Sequence, residues 1–223
     1  MGRNKLFKIL KANHMLIKPK RSYHITPNSH HRFRKHKNRI EYLEIVCPEQ
    51  VWVADITYVG HRNNPMYLAL ITDAYSKKIK GYNSLETTGS LKALKMAIKN
   101  RNYPNQELIH HSDKGLQYCS NKYQKVIYKN NIKCSMTESY GPYLNAVAER
   151  INGILKQEFL FNTLNLDLKT MKILVKQSVK ICNQNRPHWY CNMLTPNQMH
   201  QQKNIKIKTY KTKNLRELQL SEI

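Results

Sequence analysis

Val51-Trp52-Val53-Ala54-Asp55-Ile56-Thr57-Tyr58-Val59 is the stretch that decides the fold. It is β-branched and aromatic, the composition of a strand of about nine residues, and a carboxylate interrupts it. Gly60-His61-Arg62-Asn63-Asn64-Pro65 follows as a turn cluster. Met66–Asp73 is a second apolar run and Lys77–Ser84 a third. Links this short predict antiparallel hairpin neighbours. Downstream, Ser90–Asn100 sets Leu91, Leu94, Ala97 and Ile98 at helical spacing. Strands are then expected at Glu107–Ser112 and Ile132–Met136, with helices at Asn121–Asn130, Leu144–Leu160 and Leu168–Asn185. The order β-β-β-α-β-α-β-α-α predicts an α/β protein. Its sheet would be five-stranded and mixed, a three-strand antiparallel meander plus two parallel strands, flanked by helices.

The chain has 223 residues, with 14 Asp+Glu against 38 Lys+Arg and a formal net charge of +24. A field of that sign points to nucleic acid or an anionic membrane surface. No apolar run approaches the ~18 residues a membrane span needs, so DNA is the expected partner and the cytoplasm the expected compartment, with nucleoid association during action. The five cysteines form no close CxxC pair, which argues for reduced thiols. In so basic a chain, acids among apolar residues need a reason. Asp55 interrupts the first strand, Asp113 closes Leu108-Ile109-His110-His111-Ser112-Asp113, and Glu149 lies in Asn145-Ala146-Val147-Ala148-Glu149-Arg150. Strands one and four are natural neighbours in this topology, so Asp55 and Asp113 could meet at one rim while Glu149 arrives from a covering helix. Three carboxylates on separate elements can hold two Mg2+ or Mn2+ ions about 3.5–4 Å apart.

On the Glu149 helix, Asn145, Asn152 and Lys156 stand four before, three after and seven after the acid, on its face. This polar stripe reads as a wall for a phosphodiester backbone, although the usual meaning of such spacing alone is a solvated face. Glu158 falls far round the helix and reads as solvated. Trp52 and Trp189 read as packing residues, Asp73 as a structural acid, and His111 as either packed or set beside the metals. Residues 1–40 hold twelve Lys/Arg, among them Arg32, Arg34 and Lys35, and no acid. Lys5–Leu10 reads as a short helix and the rest as an extended DNA-gripping arm. Its histidines His24, His30, His31 and His36 lack the spacing of a zinc finger. Three regions result: 1–40 a basic arm, 41–200 a catalytic core, 201–223 a basic tail. Within the last, Lys203–Lys213 is either an edge strand or a loose tail.

Three segments carry a resemblance. Trp52-Val53-Ala54-Asp55-Ile56-Thr57-Tyr58, His110-His111-Ser112-Asp113-Lys114-Gly115-Leu116-Gln117-Tyr118 and Asn145–Glu158 resemble the catalytic blocks of the retroviral-integrase-like transposases. Among these they are most similar to second-frame proteins of the insertion sequence three family. Asn185-Arg186-Pro187-His188 and Leu194-Thr195-Pro196 resemble that family's C-terminal signature. The resemblance implies a ribonuclease-H-like fold with Asp55, Asp113 and Glu149 as the metal-binding triad. Lys156 and Asn145 would contact DNA near the element end. The implied chemistry is end cleavage and strand transfer by a synaptic homo-multimer, with an upstream-frame protein supplying end recognition. The stretch from Gly2 to Leu10 resembles only the last helix of the family's helix-turn-helix-like segment, so a shortened N-terminus is expected. A metal-dependent ribonuclease of the same fold and a non-catalytic DNA-binding remnant are the alternatives.

Overall fold

The computed structural model describes residues 2–16, 35–61, 65–84, 89–137, 142–161 and 165–206, with the side chains of residues 84 and 142–145 excepted. The meander forms as expected. Strands β1 (Val51–Val59), β2 (Met66–Asp73) and β3 (Ile79–Ser84) are antiparallel. Two short strands, β4 (Ile109–Ser112) and β5 (Lys133–Met136), add in parallel on the other side of β1, giving the order β3-β2-β1-β4-β5.

The alternation of β1 sorts its side chains between two cores. Trp52 and Ala54 pack with α2 (Gly89–Lys99), α3 (Leu116–Cys119) and α4 (Asn121–Lys129). Val51, Val53 and Val59 face α5 (Pro142–Glu158), and α6 (Leu168–Gln184) covers β2 and β3 on that side. Asp55 shares the odd-numbered face and therefore looks toward α5. Gly81 is where β3 and α2 come closest: a Cβ there would run into the Ala93 carbonyl and stand 2.9 Å from the Ala97 Cβ.

The first helix, α1 (Arg3–Ala12), is longer than the expected Lys5–Leu10 and buries none of its residues. The C-terminal signature closes the core through a 3-10 turn, Trp189–Cys191, and α7 (Pro196–Met199). Thr195 and Gln198 form a capping box at the start of α7, and Cys191 and Met199 pack on Tyr75. Trp189 departs from its expected packing role. It is 58% exposed, because the turn that carries it ends in left-handed Asn192 and Met193. No helix among the described residues is long and apolar enough to cross a membrane.

Candidate active site

The β1–β4 register pairs Val51 with Ile109 and Val53 with His111. Two residues further on, the same register sets Asp55 level with Asp113. Asp113 falls one residue beyond β4, and its Oδ1 accepts the Gly115 N–H at 2.9 Å. Burial raises the Asp113 carboxyl above the ordinary carboxylate range, and the Gly115 bond partly offsets this. Asp55 is displaced more. Burial and then the Asp113 charge, with a smaller push from Glu149, lift its carboxyl from 3.8 to about 7. Bonds from the Ile56 N–H (2.9 Å) and the Asn152 amide (2.7 Å) oppose that rise. The charges of Asp113, just past β4, and of Glu149, on α5, thus both reach Asp55 on β1. Glu149 itself is exposed on α5. Among the described residues, no group of three or more His, Cys, Asp and Glu side chains is gathered tightly enough to hold a metal ion.

Asn152 corrects the expected solvent-facing stripe. It is 5% exposed, and its Nδ2 donates to Asp55 Oδ2 at 2.7 Å. Its Oδ1 is buried with no hydrogen-bond partner. Its place on the helix favours this, because it sits between the buried Ile151 and Ile154 on a face turned toward β1. Lys156, one turn further, is half-buried. Burial lowers its ammonium and the Asp55 charge pulls it back up, so the cation stands within the field of the acids. The Asn145 side chain lies outside the described residues, as do Arg32 and Arg34.

Lys35 is exposed, and its charge reaches the Cys119 thiol on α3. The segment behind it is anchored on β5, where Arg39 gives its N–H to Ser135 Oγ (2.9 Å) and its Nε to the Cys134 carbonyl (3.2 Å). His111 is packed, 1% exposed, with Nδ1 2.9 Å from the same Ser135 hydroxyl. Glu158 is not simply solvated, since it holds Arg186 through two contacts of 2.6 Å. All five cysteines are free thiols.

Sequence reasoning missed a second acidic centre. Glu49, fully buried and left-handed (φ 57°), takes Lys80 Nζ at 2.6 Å and the N–H groups of Asn102 and Tyr103 at 2.8 and 2.9 Å. Its own N–H donates to Asp73 Oδ2 at 2.6 Å. Asp73 also accepts the Ser76 N–H and hydroxyl, as befits a structural acid. His200, after α7, bonds Ser76 Oγ at 2.9 Å and closes the network. The available signal was an acid beside Pro48, just ahead of a core strand, in a chain with few acids.

Two family models, both described as integrase core domain, match residues 46–142 and 130–196. An insertion element IS600 protein of Shigella sonnei is 37% identical over 166 residues, covering 72% of this chain and 60% of that protein. The InsF transposase of insertion sequence IS3A from Escherichia coli is 33% identical over 156 residues, covering 68% and 54%. The chain belongs to the IS3 family of integrase-core transposases. This transposase core spans about 60% or less of the length of these relatives. The HTLV-2 integrase catalytic core in complex with magnesium superposes with a TM-score of 0.54 at 19% identity, over 70% of this chain and 99% of that one. A simian T-cell lymphotropic virus intasome chain gives 0.58 at 20%, over 95% and 75%. These matches establish the ribonuclease-H-like fold of the transposase core.

Proposed function

We propose that this transposase core cleaves DNA at element ends and transfers the 3′-hydroxyl into target DNA, with Asp55, Asp113 and Glu149 as its metal-binding triad. The observation that carries the reading is the β1–β4 register, which sets Asp55 level with Asp113 under the helix that bears Glu149 and bonds Asp55 through Asn152; this crowding is also what raises the Asp55 carboxyl. Mutually repelling, under-bonded carboxylates fit a hard divalent cation, which takes oxygen ligands. Two Mg2+ or Mn2+ ions, when bound, would activate the attacking hydroxyl and stabilise the leaving oxygen.

The chain's own residues do the rest. Asn152 orients the Asp55 carboxylate, acting as a positioning residue rather than a DNA contact. Lys156 sets a cation beside Asp55, where a scissile-strand phosphate would lie, and Asn145, eleven residues and about three turns earlier on α5, is a second DNA contact. Residues 1–40, with Arg32, Arg34 and Lys35, form a basic arm along the duplex; residues 41–200 are the catalytic core and 201–223 a basic tail. Partners are element-end and target DNA, further copies of this chain in a synaptic multimer, and an upstream-frame protein for end recognition. The compartment is the cytoplasm, at the nucleoid during action.

Glu149→Gln tests the triad. The side chain is exposed, so the fold survives the change. Metal-dependent 3′-end joining should be lost while DNA affinity is kept. Persistent joining in the variant refutes the assignment.

A further inference from the structure

Away from the acids, a cavity of about 450 Å3 opens between the edge strand β3, the end of α2 and α6. Four cations line it: Lys78, Lys80, Lys99 and Arg101. One carboxylate answers them. Glu49 holds Lys80 at 2.6 Å and stands 3.6 Å from Arg101 Nε. Among the described residues, no acid lies within ion-pair distance of Lys78 or Lys99. Lys99 is exposed in the last turn of α2, where a cation is also favoured by the helix dipole. Lys78 is half-buried; burial and the Lys80 ammonium lower its own ammonium, and the more distant charges of Glu49 and Asp73 only partly offset this.

The wall around these cations is stiff. Asn183 both accepts from and donates to Ile79 backbone (2.9 and 3.0 Å), and Asn102 Oδ1 takes Lys80 at 2.7 Å. A rigid, partly desolvated opening with four cations, two of them without a directly paired carboxylate among the described residues, is complementary to an anion with several oxygens. Its position favours a nucleic-acid phosphate. Asp55, Leu70 and Tyr82 stand level across β1, β2 and β3, and Tyr82 lines the cavity. Two strand spacings, about 10 Å, separate Asp55 from Tyr82 at the near edge of the cavity, and the cations flanking Ile79 lie level with Val53, two residues back from Asp55. That lies well inside one helical turn of duplex, about 34 Å.

We propose that this cavity binds a backbone phosphate of the DNA on which the core acts, as a second grip outside the catalytic centre; the inference rests on the DNA-directed reading above. The test is anisotropy of the full chain on a duplex of several turns, across a salt series. The double variant Lys78→Ala, Lys99→Ala should flatten the slope of log affinity against log salt by about one to two. The control pair Lys122→Ala, Lys129→Ala on α4, equal in charge change and exposed, should leave the slope near the wild-type value. Melting curves of both variants establish that they are folded. An unchanged slope for the cavity variant overturns the proposal, as does an equal flattening in both pairs. Calorimetry with inorganic phosphate and with a nucleoside triphosphate separates the sources. Saturable, Lys78-dependent binding of either small anion without the DNA effect also overturns it. The Glu149→Gln joining assay judges the chemistry independently, because it does not read the salt slope.

Discussion

Asp55→Asn removes the charge at the most strained carboxylate of the core while keeping an amide where Asn152 can bond. In the metal-free protein, an acid whose folded pKa lies above its unfolded value weakens the fold wherever the unfolded chain would ionise first. Between pH 3.8 and about 7 the folded state binds the extra proton, so stability falls as pH rises through that window and levels off above it. The full displacement corresponds to about 4 kcal/mol. Rearrangement and water at a half-buried rim reduce this, leaving about 2–4 kcal/mol at pH 8. For a chain of this size that raises the melting temperature by on the order of 5–10 °C. The assay is thermal unfolding of both proteins in chelator at pH 5 and pH 8. The variant should be more stable at pH 8, with the gap mostly closed at pH 5. Excess Mg2+ should stabilise the wild type and not the variant, because a ligand stabilises only the state that binds it. A gap that is independent of pH, or a variant less stable than wild type at pH 8 in chelator, refutes the reasoning.

Glu49→Ala should cost about 3–5 kcal/mol, because Lys80 is left as a buried unpaired cation, and urea titration reads that loss directly. The pH sign here is opposite to that of Asp55. Burial raises the Glu49 carboxyl, but bonds from His200, Asn102, Lys80 and Tyr103 outweigh it and hold it at about 2, below its ordinary 4.5. Its contribution to stability is therefore complete above pH 4.5 and drains away as pH falls toward 2, which acid unfolding of the wild type against the variant measures. Asn152→Leu should slow strand transfer by about 10–100-fold through loss of one charge-assisted bond of about 1.5–3 kcal/mol, with DNA affinity unchanged. A weakened affinity at an unchanged single-turnover rate would instead make Asn152 a DNA contact.

The sheet was legible because its signals are local. Val51–Val59 is β-branched and aromatic, the links to β2 and β3 are short, and the parallel strands are separated by helices. The meeting of Asp55 with Asp113 was legible for the same reason, since topology alone makes β1 and β4 neighbours. What escaped depends on contacts distant in sequence. Asn152 has the same spacing from Glu149 whether it faces solvent or β1, and only the rotation of α5 on the sheet turns it inward. Glu49 finds Lys80, Asn102 and His200 across 31, 53 and 151 residues. Arg186 meets Glu158 across 28. The helices α3 and α7 have four residues each, too short to show a helical period.

The two acidic centres separate structure from chemistry within one core. Glu49 and Asp73 are fully buried, yet their oxygens are taken up by an ammonium, peptide N–H groups and a hydroxyl. These bonds keep Glu49 ionised, and the two acids together stitch the segment after α7 to the sheet. Among the described residues, Asp113 accepts a single hydrogen bond and Asp55 two, one of them from its own neighbour Ile56. A carboxylate offers about four lone-pair positions, and bonds among the described residues use three of the eight at Asp55 and Asp113. Hydrogen bonding within the core does not account for two neighbouring carboxylates, one midway along β1 and one just past β4. Their cost to the apo fold is what a hard cation would return on binding, so the feature that lifts Asp55 to about 7 is the one on which the proposed metal-dependent phosphoryl transfer rests.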